Sequence, residues 1–276
     1  MKVAALQMVS GRELQANLTA ADGLIEQAVA QGAKLVLLPE NFACMGGGKI
    51  LELGGDELSE DGPIRSFLSS RARRHGVILV AGSLPTTAVD DDANGPEKGK
   101  VFTSSFVYGT EGQLLSRYNK MHLFDVDVDD AQGCYRESDD YSPGNAVQTV
   151  ELNDDWQLGL SICYDLRFPE LYRELASRGA NIITVPAAFT YTTGEAHWEV
   201  LLRARAIENE CFIVAANQGG QHSPSRKTWG HSCIISPWGE VLAMQEQGEG
   251  VVLANLDLNE LKRLRRAMPV LQHRRL

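Results

Sequence analysis

Short apolar runs alternate with amphipathic stretches through the opening third of the chain. Val3 to Met8 predicts a strand, and Leu18, Leu24, Ile25, Ala28 and Val29 then recur at helical spacing until Gly32 stops them. Leu35 to Leu38 predicts a buried strand. A second helix is expected from Pro63 through Ile64, Phe67, Leu68 and Ala72 to Gly76, and Val77 to Val80 resume the sheet. Residues 86–100 are polar, acidic and broken by Gly and Pro, which predicts a surface loop rather than a linker between domains.

The middle of the chain adds hairpins to these crossover units. Phe102 to Tyr108 and Leu114 to Tyr118 flank a Gly-Thr-Glu-Gly turn, and Val147 to Leu152 and Gln157 to Ile162 flank Asn-Asp-Asp. Beyond them come a helix from Pro169 to Arg178, a strand at Asn181 to Val185 and a longer helix from roughly Ala196 to Asn209. Further strands are expected at Cys211 to Ala216, Ser232 to Ser236, Val241 to Met244 and Val251 to Leu256. Crossovers and hairpins together imply mixed sheets, and there are too many strands for one. Two stacked sheets with helices outside is the α/β architecture expected. No internal repeat interrupts it, and 276 residues suit one large domain over positions 1–276.

Charge and cysteine usage narrow the partners. With 26 basic against 36 acidic residues the net charge is −10, which disfavours binding to nucleic acid. The basic residues between Lys262 and Arg275 predict a solvated helix face or a subunit-contact tail. Five cysteines without a Cys-x-x-Cys pair argue against a disulfide framework or a structural zinc and fit a reducing compartment. No signal-peptide pattern and no apolar stretch near the roughly twenty residues of a membrane helix are present, so a soluble, cytoplasmic protein is expected.

Three residues stand at predicted strand ends. Glu40 follows Leu35-Val36-Leu37-Leu38-Pro39, Lys120 closes the second arm of the first hairpin, and Cys163 ends Leu158-Gly159-Leu160-Ser161-Ile162 just before a helix. Each has an ordinary reading as a loop acid, a snorkelling lysine or a buried thiol. Together they supply a nucleophile, a base and a cation for a developing oxyanion, at the sheet edge where α/β folds gather ligands. The nearby helix N-terminus and Lys120 lead us to expect a thiolate at Cys163. A Gly-x-Ser-x-Gly elbow is absent, and no ligand spacing suggests a metal.

In Leu38-Pro39-Glu40-Asn41, Tyr118-Asn119-Lys120-Met121-His122-Leu123-Phe124 and Cys163-Tyr164-Asp165-Leu166-Arg167-Phe168-Pro169-Glu170 the sequence resembles the nitrilase superfamily of carbon-nitrogen hydrolases, with the motifs in family order. The resemblance implies a four-layer α-β-β-α sandwich, a Cys163 nucleophile, Glu40 as base, Lys120 and the Tyr164 backbone N–H at the oxyanion, and no cofactor or metal. It implies a supporting role for Glu137, in Arg136-Glu137-Ser138, and homodimers that pair through helices. Val101-Phe102-Thr103-Ser104 departs from the pattern of many relatives.

Residues 193–208 and 269–275 most resemble the branch holding deaminated glutathione amidases, with omega-amidases as near neighbours. The implied partner is a small amide bearing a carboxylate, most simply deaminated glutathione or alternatively α-ketoglutaramate, cleaved through a thioester with release of ammonia. The same likeness assigns Arg167, Phe189 and Thr193 to substrate binding. His197, Trp198, His122 and His231 are expected to serve packing. The rival readings are another reaction of the superfamily, a noncatalytic binding protein on the same sandwich, and a thiol redox sensor at Cys163.

Overall fold

The computed structural model describes residues 1–46, 49–87, 95–153 and 155–275. In chain order the elements are β1 (Lys2–Gln7), α1 (Leu14–Ala30), β2 (Leu35–Leu37), α2 (Ile50–Asp56), α3 (Pro63–His75), β3 (Ile78–Val80), β4 (Leu84–Thr86), β5 (Phe102–Tyr108), β6 (Leu114–Asn119), β7 (Asp125–Asp127) and β8 (Cys134–Arg136). They continue with β9 (Thr149–Asn153), β10 (Trp156–Leu160), α4 (Pro169–Ser177), β11 (Ile182–Ala187), α5 (Tyr191–Asn209), β12 (Phe212–Asn217), β13 (Ser232–Ile235), β14 (Val241–Gln245), β15 (Gly250–Asn255) and α6 (Leu258–Ala267).

Two mixed sheets carry the fold. The first has the order β15-β1-β2-β3-β5-β4 with β6 along β5, and the second has the order β14-β13-β12-β11-β10-β9. In the first, β1, β2 and β3 run parallel, as crossover helices α1 and α3 require; in the second, β10, β11 and β12 do the same around α4 and α5. Strand alternation then assigns the faces. Val3, Ala5, Leu35 and Leu37 point into a core shared with Ile183, Val185 and Ile213 of the second sheet, whereas Ala4, Leu6, Val36 and Leu38 join Ala21, Ile25, Ile64 and Leu68 of α1 and α3. The result is the expected four-layer α-β-β-α sandwich.

Local chemistry explains the element ends. Pro63 opens α3, and the buried Glu57 carboxylate accepts from the N–H groups of Ile64 and Arg65 at 2.7 and 3.0 Å, satisfying donors that helical bonding leaves free. Gly76 ends α3 at φ +59°. Gly82, at φ +62°, lies where a Cβ would stand 2.0 Å from the Pro39 carbonyl oxygen, so only glycine lets this turn pass beneath the segment leading to Glu40.

Several expectations need correction. Helix α5 starts at Tyr191, not near Ala196, because the Thr190 hydroxyl accepts from the Thr193 N–H at 3.3 Å and caps an earlier first turn. Two stretches to which the sequence assigned no element are ordered: β7 pairs with β8 between Asp125 and Arg136, and α2 covers Ile50–Asp56. Of the predicted surface loop, Thr86 belongs to β4, and residues 88–94 lie outside the described residues. The first part of the basic run lies on α6, with Lys262, Arg263 and Arg266 exposed as a solvated face requires, whereas Arg265 donates to the carbonyls of Glu210 and Ala180 and Leu261 is buried. No described helix is long and apolar enough to cross a membrane.

Candidate active site

The ends of β2, β6 and β10 converge on a cavity of about 320 Å³, large enough for a small ligand. Glu40, Lys120, Glu137, Cys163 and Tyr164 all line it. Glu40 and Lys120 come from the first sheet and Cys163 from the second, so the contact between sheets assembles the group.

Lys120 is the hub. Its Nζ donates to Glu40 Oε1 at 2.9 Å and to both oxygens of Glu137 at 2.8 Å. Lys120 and Glu40 are 2% and 5% exposed, and Glu137 is 15% exposed, so these charges interact with little solvent between them. Burial by itself would lower the Lys120 ammonium, but Glu137 and Glu40 outweigh it and hold the group well above the usual lysine range. The carboxylates are fixed in turn. Glu40 Oε2 accepts from the Ala188 N–H at 2.8 Å, and Glu137 Oε2 from the Phe124 N–H at 2.7 Å. Burial pushes Glu137 up, against the pull of Lys120.

Cys163 occupies the first position of a 3₁₀ turn, Cys163–Arg167, with φ +46°. A non-glycine residue there is strained by about 1–3 kcal/mol and persists only where the surroundings hold it. Asp165 holds it here. Its fully buried carboxylate accepts from the Tyr118 hydroxyl at 2.7 Å, the Ile162 N–H at 2.8 Å and the His122 N–H at 3.1 Å, and contacts the His122 ring nitrogen at 2.7 Å. Asn41, next to Glu40, is also left-handed at φ +56°.

The surroundings of Cys163 work against the thiolate expected from the sequence. Burial, reinforced by the Glu40 charge, raises the Cys163 thiol well above its usual value, and Lys120 offsets this only in part because two carboxylates already engage it.

Among the substrate-binding candidates, Phe189 and Thr193 line the cavity. Arg167 does not. Its guanidinium lies 5.4 Å from the Phe189 ring centroid and 5.8 Å from that of Tyr164, with Nη1 3.3 Å from His197 Nδ1, so it backs the aromatic wall. His197 is accordingly exposed rather than packed, while Trp198 is buried and donates to the His231 carbonyl at 2.8 Å. His122 stacks on Phe168 at 3.7 Å and serves structure as expected.

Five contributors were not singled out from the sequence: the Ala188 N–H, the Asp165 anchor, the Phe124 and Tyr135 walls, and Arg226. Only Asp165, inside the Cys163 motif, and Phe124, at the end of the Lys120 motif, carried a local signal. Elsewhere among the described residues, Asp22, Glu26 and His75 approach one another closely enough to share an ion, but they lie on α1 and α3, where Arg71 and Arg74 pair with the two carboxylates.

The carbon-nitrogen hydrolase family model matches residues 2–266. The deaminated glutathione amidase of Yersinia enterocolitica is 42% identical over 273 residues, covering 99% of this chain and 92% of that protein. The human omega-amidase NIT2 is 38% identical over 259 residues, covering 94% and 89%. The crystal structure of Saccharomyces cerevisiae Nit3, a member of branch 10 of the nitrilase superfamily, superposes with a TM-score of 0.87 at 30% identity, covering all of this chain and 97% of that one. The chain therefore belongs to the carbon-nitrogen hydrolase family, within the nitrilase superfamily.

Proposed function

We propose that this protein is an amidase that cleaves a carboxylate-bearing amide through a thioester on Cys163, with deaminated glutathione, after which several of its relatives are named, as the substrate. The observation that carries the reading is the buried Lys120 ammonium bonded to Glu40 and Glu137 in the cavity that Cys163 lines. A thiol whose ionisation burial opposes needs a carboxylate beside it to remove its proton as it attacks.

In this mechanism Glu40 takes the thiol proton while sulfur bonds to the amide carbon and the carbonyl electrons move onto oxygen. Lys120 and the Tyr164 N–H meet the oxyanion, a preorganised arrangement that costs no reorganisation during the reaction. The tetrahedral species collapses, the C–N bond breaks, and Glu40 returns its proton to the leaving nitrogen. Water then attacks the thioester with Glu40 as base, and C–S cleavage returns the thiol and a carboxylic acid. Glu137, bonded to Lys120 through both oxygens, orients the ammonium. Deaminated glutathione would release a cysteinyl peptide in the first half-reaction, whereas a primary amide such as α-ketoglutaramate would release ammonia.

The remaining expectations belong to the same reading: one catalytic domain over residues 1–276, Phe189 and Thr193 against the substrate, and a homodimer in a reducing, cytoplasmic setting. Val200 and Ile207 on α5, 69% and 45% exposed, and Trp238 at 67% give the helical layer an apolar surface suited to a second copy. All five cysteines are free.

The deciding experiment compares kcat/KM for deaminated glutathione, α-ketoglutaramate, an aliphatic amide and a nitrile. A preference of about 100-fold or more for a carboxylate-bearing amide, about 2.7 kcal/mol of transition-state discrimination, is expected. Preference for the nitrile, or no amide turnover, would overturn the proposal.

A further inference from the structure

The base of the cavity holds two carboxylates, Glu40 and Glu137, against the single ammonium of Lys120. A neutral amide can sit there without penalty, but a substrate carrying its own carboxylate needs a cation elsewhere in the wall. Three arginines line the cavity: Arg12, Arg136 and Arg226. Arg136 is engaged, with Nη2 2.8 Å from Asp127 and Nη1 donating to the carbonyls of Tyr135 and Val126 at 2.7 and 3.0 Å. Arg12 is exposed to solvent.

Arg226 differs from both. Its Nη2 donates to the Ala188 carbonyl at 2.8 Å, and its guanidinium lies 4.8 Å from the Tyr135 ring centroid. These contacts fix the plane of the group in the wall. Nη1 is buried and has no hydrogen-bond partner among the described residues. The nearby Asp130 does not take it, because its carboxylate accepts from the Tyr135 hydroxyl at 2.8 Å and from the Gln132 and Gly133 N–H groups. A buried guanidinium donor left open is costly, and an arginine held on one edge presents the rest of its fork to a planar anion.

We infer that Arg226 is a substrate-binding residue that receives a carboxylate of the amide substrate and selects anionic over neutral amides. The inference rests on the amidase reading above and names a determinant of its specificity. The carboxylate can belong to the acyl half or to the amine half of the substrate; both present the same planar anion.

The test measures kcat/KM for matched pairs in the wild type, Arg226→Gln and Arg226→Lys. Glutaramate against pentanamide reads an acyl-side carboxylate, and deaminated glutathione against its C-terminal carboxamide reads an amine-side one. The anionic-to-neutral ratio should fall about ten- to a hundred-fold in Arg226→Gln in one pair, mainly through KM, with Arg226→Lys intermediate. The affected pair identifies the half that Arg226 holds. Equal losses on both members of each pair would mean that Arg226 only supports Ala188 and, through it, Glu40, and would overturn the inference. Calorimetric binding of glutarate and of N-acetylglycine reads the same contact without turnover. A ten-fold or greater weakening of either in Arg226→Gln supports it even if the amidase reading fails, and unchanged affinity for both contradicts it.

Discussion

Lys120 Nζ stands 2.9 Å from Glu40 Oε1 although the two residues are 80 positions apart in sequence, and both are almost fully buried. The pair joins a strand end and a hairpin end of one sheet beneath a cysteine supplied by the other. Breaking a buried ion pair from one side leaves an uncompensated charge, at a cost of about 3–5 kcal/mol. Lys120→Met should therefore abolish amide hydrolysis and also lower Tm, whereas Lys120→Met combined with Glu137→Gln should regain part of the stability and none of the activity. Thermal melts with kcat/KM check this. A Tm unchanged in Lys120→Met would show that the carboxylates do not depend on the ammonium.

Asp165 is not among the residues that line the cavity, yet it ties Tyr118, Ile162 and His122 around the turn that holds Cys163 at φ +46°. Asp165→Ala leaves buried donors without an acceptor. Each unsatisfied group costs about 1–3 kcal/mol, so a large stability loss is expected together with a fall in kcat as the sulfur relaxes from its position. Denaturant titration and steady-state kinetics measure the two effects. Full activity with full stability would remove Asp165 from the account.

Burial raises the Cys163 thiol, and it raises the buried Cys211 thiol to about 12. For such groups the unfolded thiol, with a pKa of about 8.5, ionises before the folded one. Their contribution to stability is therefore complete below about pH 8.5 and is lost as pH rises through the folded values. Denaturation midpoints should fall between about pH 8.5 and the folded values, and the ultraviolet thiolate absorbance of wild type minus Cys163→Ala should show no step below about pH 8.5. A thiolate step near neutrality would place an ion pair at Cys163 and contradict the proton path through Glu40.

The fold was largely legible because its strands alternate or run apolar and its long helices repeat at helical spacing, as in Leu18 to Val29. Thr190 hid the true start of α5 because a cap followed by Tyr, Thr and Gly does not look helical. Trp229 explains that glycine, since a Cβ on Gly194 would stand 2.2 Å from the Trp229 Cβ. Hairpin β7–β8 was masked by its aspartates. At the site, Glu40, Lys120 and Cys163 were visible as polar residues closing apolar strands, while Glu137 followed only from the family likeness. Ala188 acts through its backbone N–H, which no side chain announces. Arg226 sits in a polar loop without periodicity, and only the folded cavity separates its open donor from the satisfied ones of Arg136. Arg167 shows the reverse: the right residue type at the expected spacing, beside the Phe189 and Tyr164 rings and not among the residues that line the cavity.

In the proposed reaction one sulfur, backed by one carboxylate and one ammonium, forms a covalent acyl intermediate. Acid quenching during turnover of deaminated glutathione, followed by intact-mass and peptide mass spectrometry, tests it most directly. A mass increase equal to the acyl group is expected on the peptide carrying Cys163, accumulating in wild type and missing in Cys163→Ala. Steady turnover without any acyl adduct, or an adduct on another cysteine, would contradict it.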